Sequence, residues 1–187
     1  MNTVEPIRDR EKIFDMADYL KCKNPKNPRD YVMFMFGIYT GLRISDILKL
    51  RVRDIRDKDS IYIREMKTEK EKKFNINPEL KPIIRDYIKD KKDYEYLFKS
   101  RQNKNTPITR QQAYNILNEA ADALGITRVG THTLRKTWGY HTYQQTHDAV
   151  AIKEILNHAD ISITLRYIGI NQDNKDKIMN SLSFKRT

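Results

Sequence analysis

Four short stretches carry side chains whose types and spacing suit chemistry on an anion. They are "TGLRISD" with Arg43, "MKTEK" with Lys67, "THTLR" with His132 and Arg135, and "LNHADISITLRY" with His158 and Tyr167. Guanidinium groups grip anionic oxygens in a fixed bidentate fork. His132 and Arg135 stand three apart, on one turn of a helix, so both can reach the same group. Tyr167 follows Arg166 directly and lies nine residues after His158. Taken singly, each piece is ordinary: a lone tyrosine is usually a core-edge residue with a wet hydroxyl, and a lone HxxR is usually a surface turn of helix. The weight lies in the ordered set.

Composition points the same way. Thirty-six Lys and Arg against 25 Asp and Glu leave a formal charge of +11 over 187 residues. Such an excess favours a polyanionic partner, through counterion release and electrostatic steering, and nucleic acid is the first suspect. A single cysteine, Cys22, excludes an internal disulfide and a thiolate zinc cluster, and the four histidines show no HExxH spacing. No metal and no cofactor is implied. There is no apolar run of about 18 residues and no signal-peptide profile, so the expected place is the cytoplasm, with no membrane partner.

In order and approximate spacing, the four stretches together resemble the phage integrase family of tyrosine recombinases, over nearly the whole chain. The resemblance implies metal-independent cleavage and rejoining of double-stranded DNA through a covalent 3′-phosphotyrosine. Tyr167 is then the nucleophile. Arg43 and Arg135 would hold the non-bridging oxygens of the transition state, and Lys67 would protonate the leaving 5′ oxygen. His158 would donate to a non-bridging oxygen, and His132 would help remove the phenol proton or hold the phosphate beside Arg135. Asp46, three residues after Arg43, matches an acidic position that supports the site in the family; an acid favouring a helix N-terminus is equally compatible. The alternative function is a DNA-binding regulatory module that keeps the fold without autonomous recombination, and a topoisomerase-like relaxing activity stands behind both. Asn157 occupies the place before His158 where the family commonly has glycine.

The elements that must position these residues read as follows. Residues 9–21 have helical spacing; Asn27 and Pro28 open a buried helix that Gly41 ends; "RISDILKL" is a short helix. "DSIYIREMK" and "KKFNIN" alternate with period two, with "LRVRDI" as a third strand. By this alternation Lys67 shares a face with Ile61 and Ile63. Asn77 and Pro78 open a helix carrying Leu80, Ile83, Ile84, Tyr87 and Ile88 inward. Thr109 caps another, which Gly125 ends, and three helical segments follow. His141 falls on the stripe of Leu134 and Trp138, as a packed residue, and His147 sits exposed at a helix boundary.

The expected fold class is mainly α (α+β): a helical catalytic domain with a small three-stranded antiparallel sheet. Only 42 residues precede Arg43, and two helices account for them. Residues 1–187 are therefore expected to form a single catalytic domain without a separate N-terminal core-binding domain. After Tyr167, Ile178, Met179 and Leu182 form an apolar stripe, and the resemblance implies self-association on DNA through this C-terminal segment.

Overall fold

The computed structural model describes residues 4–64, 71–102 and 104–181. Lys67, Lys70 and Leu182 lie outside the described residues. Nine α-helices and one hairpin make up the described chain. In order they are α1 (Arg10–Lys23), α2 (Arg29–Thr40), α3 (Ile44–Ile47), β1 (Ser60–Arg64), β2 (Glu71–Asn75), α4 (Leu80–Ile88), α5 (Arg110–Ala123), α6 (Thr133–Thr146), α7 (Ala149–Leu156), α8 (Ile161–Ile168) and α9 (Ile170–Ser181).

Helix α2 is apolar nearly all round, and it is central for that reason. It packs against α1, α3, α4 and α6. Val32, Met33 and Phe36 point into a cluster shared with β1, α4 and the segment Leu97–Phe98. Phe34 points the other way, into a cluster with Leu20 of α1, Leu117 of α5 and Leu134 of α6. A third cluster joins Ile152 and Leu156 of α7 to Ile168 of α8 and Ile170 of α9, against Trp138, Tyr140 and Tyr143 of α6. Helix α6 thus touches the central core with one side and the helices that follow it with the other.

The cap of α5 forms as the sequence dictates. Thr109 Oγ1 accepts the Gln112 N–H (3.1 Å) while Gln112 Oε1 accepts the Thr109 N–H (2.8 Å), a reciprocal box at the start of α5. The two Asn-Pro starts differ from expectation: Pro28 and Glu79 are the N-caps, neither with a side-chain cap bond. Asn27 Oδ1 and Asn77 Oδ1 instead accept the Arg29 N–H (3.3 Å) and the Glu79 N–H (2.8 Å) in the preceding turns.

The sheet departs from expectation. Among the described residues it has two strands, β1 and β2, antiparallel with Ile61 opposite Phe74. Ile61 and Ile63 are buried and Tyr62 is exposed, so the alternation holds. "LRVRDI" does not add a third strand, because Val52–Asp54 closes into a 3-10 turn. The Asp54 carboxylate accepts the Arg51 N–H at 2.8 Å. The Leu50 carbonyl and Val52 N–H pair instead with Leu97 (2.8 Å) and Glu95 (3.0 Å).

Close helix approach rests on glycine. A Cβ at Gly139 of α6 would stand 2.7 Å from Ile168 Cγ2, the residue next to Tyr167. Gly139→Ala sets about 1 kcal/mol of helix propensity in its favour against about 1–3 kcal/mol of overpacking. The overpacking wins: a net loss of roughly 0–2 kcal/mol is expected, read by urea denaturation. An increase in stability would show that α8 is free to move away from α6.

Candidate active site

Arg43 owes its place to the end of α2. Gly41 adopts a left-handed conformation, φ 63°, and its N–H bonds the Gly37 carbonyl at 3.1 Å. A side chain there would also meet the Trp138 ring, with a Cβ only 2.5 Å from it. The chain turns, and Arg43 becomes the N-cap of α3, its carbonyl accepting from Asp46 (2.9 Å) and Ile47 (3.0 Å). Asp46 is buried in the first turn of α3, where negative charge is favoured.

His132 is the N-cap of α6. The turn before it is fixed by Thr133, whose hydroxyl accepts the Gly130 N–H at 3.1 Å and whose own N–H bonds the Gly130 carbonyl at 2.9 Å. One turn on, Arg135 is only 4% exposed. Its Nη1 donates to the Gly41 carbonyl at 2.7 Å and its Nη2 to the Leu156 carbonyl at 2.8 Å. Arg135 therefore ties the ends of two helices together and also lines a pocket. Arg43, Ile44, Ser45, Arg110, Thr131, His132 and Arg135 line one pocket of about 160 Å³.

His158 follows Asn157, which ends α7 in a left-handed conformation at φ 54°. Asparagine tolerates that conformation better than most residues with a side chain, so it does here what glycine does elsewhere. His158 Nδ1 lies 3.0 Å from the hydroxyl of the fully buried Thr164, and that hydroxyl donates to the Asp160 carbonyl at 3.3 Å. With the hydroxyl proton so engaged, Nδ1 carries the hydrogen of the imidazole, and Nε2 becomes a donor when the ring is protonated.

Tyr167 closes the site from α8. Its hydroxyl is 3.5 Å from His132 Nδ1, at the outer limit of a hydrogen bond, and within hydrogen-bonding reach of Arg135. The His158 ring meets the Tyr167 ring edge to face, centroids 5.0 Å apart. Desolvation raises the Tyr167 phenol above its ordinary value, opposed by the charges of Arg135 and Arg43. Desolvation also lowers His132, and Arg110, Arg135, Arg43 and Lys136 push it the same way. His158 is lowered by desolvation, then by Arg135 and Arg43. At neutral pH the resting site therefore holds a protonated phenol beside neutral imidazoles. With its hydrogen on Nε2, His132 presents a lone pair from Nδ1 to the phenol.

Of the expected site residues, Arg43, His132 and Arg135 share the pocket, Tyr167 contacts His132 and His158, and Asp46 is buried in the first turn of α3 after Arg43. Lys67 lies outside the described residues. Two further basic residues belong to this neighbourhood. Arg110, the first residue of α5, lines the pocket; a capped helix start after "TPIT" located it, but nothing distinguished its charge among 36 basic residues. Lys136 places its ammonium 5.2 Å from the centre of the Tyr167 ring. His141 is a packed residue as expected, with Nε2 2.9 Å from the Ile7 carbonyl. His147 is exposed at the end of α6.

The histidine shifts fix a sign for pH dependence. His132, His141 and His158 all lie below the ordinary value of 6.5 in the folded chain. Below 6.5 the unfolded chain binds these protons first, so stability falls as pH falls from 6.5 toward the folded values. Imidazole titration by NMR should give midpoints below 6.5 for all three, and a phosphate bound in the pocket should raise those of His132 and His158. Midpoints at or above 6.5 in the free protein contradict the electrostatics described.

The chain matches the phage integrase family over residues 8–174. It is 53% identical over 173 residues to the probable integrase/recombinase YoeC of Bacillus subtilis, covering 92% of this chain and 93% of YoeC. It is 30% identical to a tyrosine recombinase of Pseudothermotoga lettingae, over 97% of this chain and 66% of that protein. It spans 47% of the tyrosine recombinase XerH of Campylobacter jejuni, at 25% identity. Among solved structures, a XerH complex in the post-cleavage state superposes with a TM-score of 0.72 at 17% identity, over 96% of this chain and 54% of that one. The catalytic domain of bacteriophage HP1 integrase superposes with a TM-score of 0.61 at 19% identity, over 98% and 99%. These likenesses establish the integrase catalytic fold, and with the match along residues 8–174 they show that the chain belongs to the phage integrase family of tyrosine recombinases.

Proposed function

We propose that the chain cuts and rejoins strands of double-stranded DNA through a 3′-phosphotyrosine, as in site-specific recombination or integration. The observation that carries this reading is the Tyr167 hydroxyl beside His132 Nδ1 and Arg135, two of the residues that line a pocket with Arg43 and Arg110. Tyr167 Oη bonds to phosphorus, its proton passes to His132, the P–O5′ bond breaks, and the 5′ oxygen leaves with a proton from Lys67. Rejoining runs the same steps backwards. Arg43 and Arg135 take the two non-bridging oxygens, and a protonated His158 donates from Nε2. Asp46 supports the first turn of α3 behind Arg43.

In this mechanism the negative charge of the transition state is met by side chains, so no metal takes part. The relatives support DNA as the partner: XerH is seen in complexes with its difH substrate, and Tn1549 integrase with circular-intermediate DNA. On this reading residues 1–187 act as one catalytic domain, DNA-associated inside the cell. No helix among the described residues is long and apolar enough to cross a membrane.

Assembly on DNA is assigned to the end of α9. Ile170 is buried, and Asp173 pairs with Arg8 at 2.9 Å, so the first turn is held to its own domain. Met179, in the last turn, is 76% exposed. Removing residues 176–187 should leave the fold intact and lower the cooperativity of DNA binding in a gel-shift titration; unchanged cooperativity rules out this surface.

A nicked suicide duplex incubated in EDTA and run on a denaturing gel tests the chemistry. The wild type should become linked to the 3′ phosphate, while Tyr167→Phe binds without cutting. Arg43→Ala should lose about 10²–10³-fold in cleavage rate, the scale of one oxyanion-type donor. A 5′-bridging phosphorothiolate, whose leaving group needs no proton, should restore cleavage to Lys67→Ala. Binding without any covalent adduct in the wild type would instead favour a DNA-binding regulator.

A further inference from the structure

Lys136 is a buried cation that the reaction above does not use. It is only 8% exposed, although it directly follows Arg135 on the helix that faces the site. Its Nζ donates to the Val4 carbonyl at 2.7 Å and stands over the Tyr167 ring at 5.2 Å from the centroid. The ammonium therefore joins two parts of the chain distant in sequence, the segment before α1 and the tyrosine on α8. A cation over a ring face holds that ring electrostatically as well as by contact.

The segment that Lys136 grips is itself fixed along α6. The Ile7 N–H donates to the buried Thr137 hydroxyl at 2.9 Å, and the Ile7 carbonyl lies 2.9 Å from His141 Nε2. The Arg8 guanidinium covers the Tyr140 ring at 5.6 Å and pairs with Asp173 of α9. Glu5 N–H bonds the Arg128 carbonyl at 2.9 Å. Residues 4–8 thus form a strap across α6, attached at Lys136, Thr137, Tyr140 and His141, that reaches α9 just past the tyrosine.

Resting on the reading of Tyr167 as nucleophile, we propose that Lys136 is a positioning residue: tied to the strap through the Val4 carbonyl, it holds the Tyr167 ring in line with the phosphate. The strap and the nucleophile are then mechanically coupled, and whatever shifts residues 4–8 changes the cleavage rate. A lysine is needed because methylene packing alone supplies neither the donor for Val4 nor the charge over the ring.

The test measures single-turnover cleavage of a nicked duplex at saturating DNA, together with the Kd for that duplex. Lys136→Met fills the same space without donor or charge. It should cleave about 10- to 100-fold more slowly, the scale of an ångström-level misplacement of a reacting group, with Kd unchanged. Lys136→Arg keeps both donor and charge and should retain most of the rate. Deleting residues 1–4 removes the Val4 carbonyl without touching the lysine. It should cause a similar loss, and the double variant should be no slower than Lys136→Met alone. Tyr167→Phe is run alongside. If it is inert while Lys136→Met and the deletion cleave at the wild-type rate, the positioning role is wrong and the nucleophile stands. Equal losses in Lys136→Met and Lys136→Arg, or fully additive losses with the deletion, also overturn the proposal. If Tyr167→Phe itself cleaves, the nucleophile assignment falls, and the positioning role with it.

Discussion

A guanidinium withdrawn from water has to be satisfied on every side, and Arg135 is satisfied by the ends of two helices. Its two terminal nitrogens bond the carbonyls of Gly41, just past α2, and of Leu156, the last residue of α7. Both carbonyls sit at helix C-termini, which carry partial negative charge, so the cation stabilises each end it touches. Hydrogen bonds to a charged group contribute about 1.5–3 kcal/mol each, and removing the cation would leave both carbonyls without this donor. One side chain on α6 therefore holds the end of α2 to the end of α7. Those two points determine where Arg43 and His158 begin. The same side chain lines the pocket, so scaffold and site cannot be separated at this residue.

The rest of the site follows from gathering cations around the histidines and the tyrosine. Arg43, Arg110, Arg135 and Lys136 all disfavour a proton on His132, and the first and third do so on His158. Folding pays for this concentration of charge through the packing of α2 and α6, and an anion entering the pocket relieves it. A DNA phosphate is such an anion. On binding it would raise the proton affinity of both histidines and draw His158 toward its protonated, doubly donating form. The overall charge of +11 extends the same logic outward, as a field that draws the duplex in before the site engages.

Much of this was legible in the chain. The two-residue alternation around Ile61 and Ile63, the capping pair Thr109 and Gln112, and the glycine after α2 each state a local rule that the fold obeys. So does the HxxR spacing, which places His132 and Arg135 on one turn. The third strand was misread because "LRVRDI" alternates acceptably, yet Asp54 folds back on Arg51 and the neighbouring backbone pairs with residues more than forty positions away. Leu97 and Phe98, both fully buried, sit in a stretch too short to show any period. Arg110 and Lys136 escaped for a different reason. Charge type carries no direction, and only the packing of α5 and of the strap against α6 brings these two of many basic residues to the tyrosine.

Whether Tyr167 is the residue that attacks is decided most directly by locating the nucleotide on the protein. The wild-type adduct trapped on a nicked duplex is digested with nuclease and trypsin, and the modified peptide is sequenced by mass spectrometry. The basic residues on either side, Arg166 and Lys175, isolate Tyr167 from the other ten tyrosines in one peptide of residues 167–175. The nucleotide is expected on Tyr167 in that peptide. A nucleotide on Tyr140, Tyr143 or any other residue would contradict the account.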